Sequence, residues 1–320
     1  MKIKTNRPAQ PPATRFFANA AGIFLYLSTL FLNVSCFGSP LVNSRLFHAE
    51  RLSEGLLVTL HPSGAPFPCS RRDEGFDADG VHYSFKKHYD DSTVEVFIPR
   101  GWTDRSALNL VFFFHGWYSS VQDSLSRFDL VSQFFHSRVN ALLVVPETAR
   151  DVPDSFGGKL ESSGGFQTLV HQILARLAQE GLIHHQNLGR VILAGHSGAY
   201  HVIGEILRRG GLTSHIGEVI LFDGLYGSLP YFEDWVDRRH GRFVSIFTEE
   251  GDAVSYSYAM IDDLVKRGIP LLLEKESDEK NPVPAGVRAV FYRSRRDHYD
   301  VVAQARQFQL LLQNSPLGHR

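Results

Sequence analysis

Ser197 lies in Val191–Tyr200, VILAGHSGAY, where an apolar run stops at Gly195 and two small residues, Gly198 and Ala199, follow the hydroxyl. A strand that turns abruptly into a helix at such a point holds the serine on a strained corner, exposed for nucleophilic attack. A serine at a helix start also serves simply as a cap, so the motif needs partners elsewhere. The stretch VFFFHGWYSS offers one, because an apolar strand there runs into His115-Gly116. Gly116 lets the backbone turn so that a main-chain N–H, that of Trp117, faces a substrate oxygen, with the N–H of Gly198 as the second donor. The candidate base is His298 in RAVFYRSRRDHYDVV, between the last expected strand and the last helix. From there a histidine reaches across the carboxyl ends of the strands. His196 and His201 sit on the corner itself and are expected to point sideways or into helix packing, and His184-His185 is a pair without a third metal ligand.

Two acids compete for the third role. Asp223, in EVILFDGLYG, is the lone charge at the tip of the strand after the serine; Asp252, in FVSIFTEEGDAVSYS, shares an acidic turn with Glu249 and Glu250. Asp223 is preferred, since burial against an imidazole would give an isolated acid a purpose, and Asp252 stays open. The chemistry such a set performs is acyl transfer to water. The base takes the serine proton, the acid orients the imidazolium, and the two N–H groups hold the oxyanion. No cofactor and no metal are expected.

The elements that must position these groups are read from periodicity. VHYSF (81–85) and TVEVFIP (93–99) read as an antiparallel hairpin. After them, near-continuous apolar runs at 109–114, 140–145, 190–194, 218–222, 243–247 and 287–292 fit strands buried on both faces of a parallel sheet. Helical stripes fall between: Phe166, Leu169, Val170, Ile173, Leu174 and Leu177, closed by Gly181; then Ala199, Val202, Ile203, Ile206 and Leu207, ended by Gly210-Gly211. A last stripe runs from Val301 to Leu312. Alternating strands and helices predict an α/β class fold, a three-layer α/β/α sandwich with a mostly parallel sheet, as a single domain over 41–320. The polar stretch Pro146–Phe166 is too long for a minimal connector and is either a solvated loop or one that lines the site.

Lys plus Arg (33) nearly balance Asp plus Glu (34), so no global field favours nucleic acid. The N-terminus differs from the rest. Lys2, Lys4, Arg7 and Arg15 precede the uncharged stretch Phe16–Pro40, the pattern of a secretory signal peptide, a lipoprotein signal or a retained membrane anchor over residues 1–40. LNVSC resembles a bacterial lipoprotein box, which makes Cys36 the candidate lipidation site. Export is the expectation, either to the periplasm or to a membrane anchored through the N-terminus. The other cysteine, Cys69, is then a lone thiol, or pairs with Cys36 in an oxidising compartment if Cys36 carries no lipid.

With Gly195-His196-Ser197-Gly198-Ala199, His115-Gly116 and the order Ser, Asp, His on the page, the chain resembles the α/β-hydrolase fold superfamily over roughly residues 80–315. Ala199 stands where the usual motif ends in glycine. The superfamily's usual acid follows the penultimate strand, which would favour Asp252. The resemblance implies a serine hydrolase, most simply a carboxylesterase acting on a small-molecule or polar ester. A serine peptidase or a polysaccharide-linked esterase uses the same chemistry, and an inactive hydrolase fold kept for binding is the rival of another class.

Overall fold

The structure, a computed structural model, describes residues 47–239, 241–279, 283–284 and 286–320. The N-terminal segment 1–40 and Cys36 lie outside the described residues. In chain order the strands are β1 (Phe47–Arg51), β2 (Gly55–Leu60), β3 (Phe76–Ala78), β4 (Val81–Tyr83), β5 (Val94–Pro99), β6 (Leu108–Phe114), β7 (Leu142–Pro146), β8 (Leu188–His196), β9 (Ile216–Phe222), β10 (Arg242–Thr248), β11 (Leu271–Lys275) and β12 (Ala289–Ser294). The helices are α1 (Phe85–His88), α2 (Val121–Arg127), α3 (Leu130–Ser137), α4 (Gly165–Gln179), α5 (Tyr200–Arg209), α6 (Leu229–Arg239), α7 (Ala253–Lys266), α8 (Asp300–Ala303) and α9 (Gln307–Gln313).

All strands but β3 and β4 form one ten-stranded sheet in the order β1-β2-β5-β7-β6-β8-β9-β10-β12-β11. Pairings from β1 to β7 are antiparallel and those from β7 to β11 are parallel. The apolar runs of the central strands bury both faces. In β6, Leu108, Leu110, Phe112 and Phe114 enter one core layer with α4, α5, α6 and α7, while Val111 and Phe113 enter the other with α3, α8 and α9. This alternation is the period-2 geometry of a strand covered on both sides. The mostly parallel three-layer sandwich is therefore the observed architecture.

The chain leaves β6 through α2 and α3 to reach β7 on one flank, then returns through α4 to place β8 on the other flank. That reversal is a topological switch point, and a crevice opens outside the carboxyl ends of the strands at such a place. His115-Gly116, after β6, and Ser197, after β8, both stand there.

Three expectations need correction. Val81–Tyr83 pairs with Phe76–Ala78 and not with the following strand. The turn α1 intervenes, and β5, buried along nearly its whole length, takes β2 and β7 as its two neighbours instead. The last helical stripe is split, because Ala305 (φ 51°) and Arg306 (φ 55°) adopt left-handed conformations between α8 and α9. Its apolar residues Val301, Val302, Phe308, Leu311 and Leu312 are all buried nonetheless, so the stripe survives a break that periodicity does not reveal. Strands β1, β2 and β11 carry mixed or exposed patterns and are additions to the predicted set. Among the described residues no helix is long and apolar enough to cross a membrane.

Candidate active site

Strand register decides which residues meet. Phe114 on β6 lies opposite Gly195 on β8, and His196 lies opposite Phe222 on β9. Thr248, at the end of β10, lies opposite Ser294 on β12. Gly116, two residues past β6, Ser197 and Asp223, one past β8 and β9, and His298, four past β12, gather at the carboxyl ends of the strands.

Ser197 begins a short 3-10 turn, Ser197–Ala199, that leads directly into α5. Its φ of 55° is left-handed, a conformation that costs a non-glycine residue energy and that tight packing must enforce. Three close approaches enforce it. A Cβ on Gly195 would sit 2.7 Å from Ala199 Cβ and 2.7 Å from Ile203 Cδ1. One on Gly116 would sit 2.6 Å from Ser197 Cβ, and one on Gly224 would sit 3.0 Å from the Ser197 carbonyl oxygen. Ala199 fits its position because α5 packs Ala199 and Ile203 against Gly195.

His298 Nδ1 donates to Asp223 Oδ2 at 2.6 Å. Asp223 is buried (2 % exposed), and Thr248 supports it by donating its N–H to Oδ1 at 3.0 Å and its hydroxyl at 3.1 Å. Burial works against the ionised carboxylate, but the bonds from His298 and Thr248 overcome it and hold Asp223 below the usual carboxylate range. The Tyr226 phenol, 3.5 Å from Asp223 Oδ2, is pushed up by burial and by that carboxylate. Asp252, by contrast, is exposed at the start of α7, where its main-chain oxygen accepts from Ser255 Oγ at 2.9 Å. The geometry brings Asp223 to His298 and leaves Asp252 outside. The described hydrogen bonds of His298 run to Asp223 and His196, not to Ser197 Oγ. Bonds of the latter kind often tighten only when substrate is bound.

Of the two directions expected for His196, sideways and into helix packing, it takes the first. Its Nε2–H donates to the His298 carbonyl oxygen at 2.6 Å, and the two rings lie 4.4 Å apart. Burial first, then the neighbouring His298, depresses the His196 imidazole to about 3, so it is a neutral donor that clasps the loop of His298 to the corner.

The stretch His115-Gly116-Trp117, expected to supply an oxyanion donor, has its own support. His115 Nδ1–H donates to the Gly116 carbonyl oxygen at 2.9 Å, and its Nε2–H donates to Glu147 Oε1 at 2.8 Å. Burial opposes a charged ring here, and Glu147 overcomes it, so the His115 imidazole is raised. Because the Gly116 carbonyl and the Trp117 N–H belong to one planar peptide, fixing the first aims the second the opposite way. The N–H groups of Trp117 and Gly198 take no part in the described turn and loop hydrogen bonds. The Trp117 side chain is 46 % exposed, and its Nε1–H donates to Ser155 Oγ at 2.8 Å. The stretch that joins β7 to α4 thus lines the site through Ser155. Arg72 Nε and the Tyr89 hydroxyl anchor it by donating to Asp154 Oδ2 at 2.8 and 3.0 Å.

Glu147, Thr248 and His196 went unassigned from sequence. Glu147 carried the same signal as Asp223, a lone acid just past a fully apolar strand. Thr248 and His196 carried none, since their roles depend on register between strands. Among the described residues no cluster of His, Cys, Asp and Glu could hold a metal ion.

No protein-family profile matches the chain, and no curated protein matches it in sequence. Solved structures do match. The S-formylglutathione hydrolase of Agrobacterium tumefaciens superposes with a TM-score of 0.50 at 11 % identity, covering 85 % of this chain and 99 % of its own. A ferulic acid esterase gives 0.49 at 11 % identity over 69 % of this chain and 92 % of its own. An S-formylglutathione hydrolase of Staphylococcus aureus gives 0.47 at 12 % identity over 84 % and 100 %. Identities this low speak to fold alone. The likeness to the Agrobacterium protein, together with the sheet order, the switch point and the serine corner, makes this chain's fold the α/β-hydrolase fold.

Proposed function

We propose that the protein is an exported serine hydrolase, specifically a carboxylesterase, with Ser197 as nucleophile, His298 as general base and Asp223 as the acid that orients it. The observation that carries this reading is the 2.6 Å bond from the His298 ring to a buried, ionised Asp223 beside a serine held at φ 55°. Asp223 keeps the proton on Nδ1, which leaves Nε2 to accept the Ser197 proton as Oγ attacks the ester carbonyl. The oxyanion forms against the N–H groups of Gly198 and Trp117. The C–O bond to the alcohol then breaks, His298 returns the proton to the departing oxygen, and water releases the acyl group by the same route. That the Agrobacterium tumefaciens neighbour is by name a hydrolase agrees with this reading.

A fluorophosphonate probe should label the wild-type protein on Ser197, and Ser197→Ala should lose both the label and about three or more powers of ten in 4-nitrophenyl acetate turnover while unfolding at an unchanged temperature. Wild-type turnover by that variant would sink the assignment. The export half of the reading rests on the basic start and the apolar stretch Phe16–Pro40. Labelled palmitate should enter the protein and be lost in Cys36→Ser; an unlabelled, soluble mature chain would point to an ordinary cleaved signal instead.

A further inference from the structure

Beside the pair Asp223–His298 the protein buries a second acid–histidine pair, for which acyl transfer as written above has no use. Glu147 and His115 are each 3 % exposed, and Glu147 Oε1 lies 2.8 Å from His115 Nε2. Among the described residues His115 is the only ion-pair partner of Glu147. The other ring nitrogen, Nδ1, lies 2.9 Å from the Gly116 carbonyl oxygen. That carbonyl belongs to the peptide whose N–H, on Trp117, is a donor to the oxyanion in the proposed reaction. The peptide abuts the nucleophile, since a Cβ added to Gly116 would lie 3.1 Å from Ser197 Oγ.

The partners of the ring decide its protons. A carbonyl oxygen only accepts, so Nδ1 carries a proton. A carboxylate oxygen also only accepts, and an Nε2 without a proton would set its lone pair against Oε1. The carboxylate is held in turn by the Val121 N–H, 3.2 Å from Oε2 and 3.3 Å from Oε1. A buried charge of this kind needs a cation beside it. Resting on the serine-hydrolase reading above, we infer that Glu147 keeps His115 doubly protonated, and that this imidazolium, bonded to the Gly116 carbonyl, fixes and polarises the peptide that receives the oxyanion. Both are positioning residues, acting on the reaction through the Gly116–Trp117 peptide.

A hydrogen bond from a charged donor is about twice as strong as a neutral one. Electron density drawn to the carbonyl oxygen leaves the N–H of the same planar amide a stronger donor. The pair is neutral as a whole, but its positive end faces the oxyanion peptide. The groups around the ring come from three elements. From the end of β7 come Glu147 and Thr148, whose hydroxyl and N–H lie 2.8 and 3.2 Å from Nε2. From α2 comes the attraction of Asp123, and Asp154, past β7, lines the same small void as the ring. None of these is a cation. Burial opposes the charged ring, and Glu147 overcomes it. Thr148 alone would suit a neutral ring, whereas Glu147 does not, so the proton on Nε2 is the quantity to measure.

The test uses the full-length protein in detergent. In nitrogen-15 NMR of the histidine-labelled wild type at pH 8, the ring assigned to His115 should carry both protons, although an ordinary imidazole titrates near 6.5. Glu147→Gln should lose that signal. On 4-nitrophenyl acetate the same variant should lose about tenfold or more in kcat with KM within about twofold, less than removal of a whole oxyanion donor costs. An aryl trifluoromethyl ketone, whose adduct with Ser197 sets an oxyanion against the same N–H groups, should bind it more weakly by about the same factor. A merely structural loss would not produce that parallel. A His115 ring with one proton in the wild type at pH 8 overturns the proposal, whether or not Glu147→Gln folds. A folded Glu147→Gln with wild-type kcat overturns it too, as does a loss of kcat that leaves ketone binding unchanged. A wild type that neither labels with fluorophosphonate nor hydrolyses any ester overturns the serine-hydrolase reading, and with it the role of the peptide but not the doubly protonated ring.

Discussion

Thr248 and His298 between them bond both oxygens of Asp223, so the carboxylate has one orientation and one partner to orient. Asparagine in its place keeps the shape but offers an N–H where His298 needs an acceptor. The ring then loses the tautomer that leaves Nε2 free for Ser197. The comparable change in serine proteases costs about four powers of ten in kcat, and Asp223→Asn is expected to cost about as much on an activated ester. Asp252→Asn, at an exposed turn, should cost less than about tenfold, roughly 1.4 kcal/mol of barrier. Both variants are to be assayed on 4-nitrophenyl acetate with thermal unfolding as the folding control; a crippled Asp252→Asn beside a near-normal Asp223→Asn would move the acid role to the superfamily's usual place. At this scale the sequence could be read because the isolated charge at a strand tip was itself the signal. The direction of His196 stayed open in the sequence because a histidine one residue before the serine looks the same whether it faces a helix or the loop of His298; only the pairing of β8 with β9 and the path from β12 to α8 decide that.

Between elements, what matters is how closely two strand ends approach. The register that sets Phe114 opposite Gly195 leaves Gly116 against Ser197, where a Cβ would come within 2.6 Å of Ser197 Cβ and 2.9 Å of the His196 carbonyl oxygen. Neither contact is to a flexible side-chain end, so Gly116→Ala must push the oxyanion peptide or the serine corner aside. Its expected effect is a loss of about a hundredfold or more in kcat, the scale on which an oxyanion donor matters, with little change in KM. Kinetics on 4-nitrophenyl acetate with circular dichroism on the same sample check it, and a folded Gly116→Ala of wild-type kcat would refute the close-approach argument. The buried central strands and the stripes of α4 and α5 could be read from sequence because they obey one period each. The early hairpin could not, because two adjacent strand-like runs carry no record of which neighbour each will take. Edge strands such as β1 and β11, with exposed faces, lack the apolar continuity that betrays a strand.

For the whole molecule, two groups buried in the same sheet make stability respond to acid in opposite directions. Glu218 is fully buried, and only its Oε1 is engaged, by Arg242 at 2.6 Å; Oε2 has no partner among the described residues. Burial, only partly offset by Arg242, raises its carboxyl to about 7, against an ordinary value of 4.5. Between those values the folded state holds more protons than the unfolded one, so Glu218 adds stability as pH falls from 7 to 4.5 and loses it as pH rises. His196 works the other way. Its imidazole is depressed to about 3, against an ordinary 6.5, by burial first and by His298 and Arg127 beside it. Between those values the unfolded state holds more protons, so stability falls as pH drops from 6.5 to 3. Each group alone contributes a slope of up to about 1.4 kcal/mol per pH unit. From 6.5 to 4.5 the two slopes oppose each other, and below 4.5 that of His196 stands alone. Urea unfolding of the wild type, Glu218→Gln and His196→Gln across pH 4 to 8 separates them, because groups common to all three cancel in the differences. Relative to wild type, Glu218→Gln should lose stability steadily on acidification from pH 7 to 4.5, and His196→Gln should gain it from pH 6.5 downward. Differences that stay level with pH in both variants would show that neither buried group titrates as its surroundings demand.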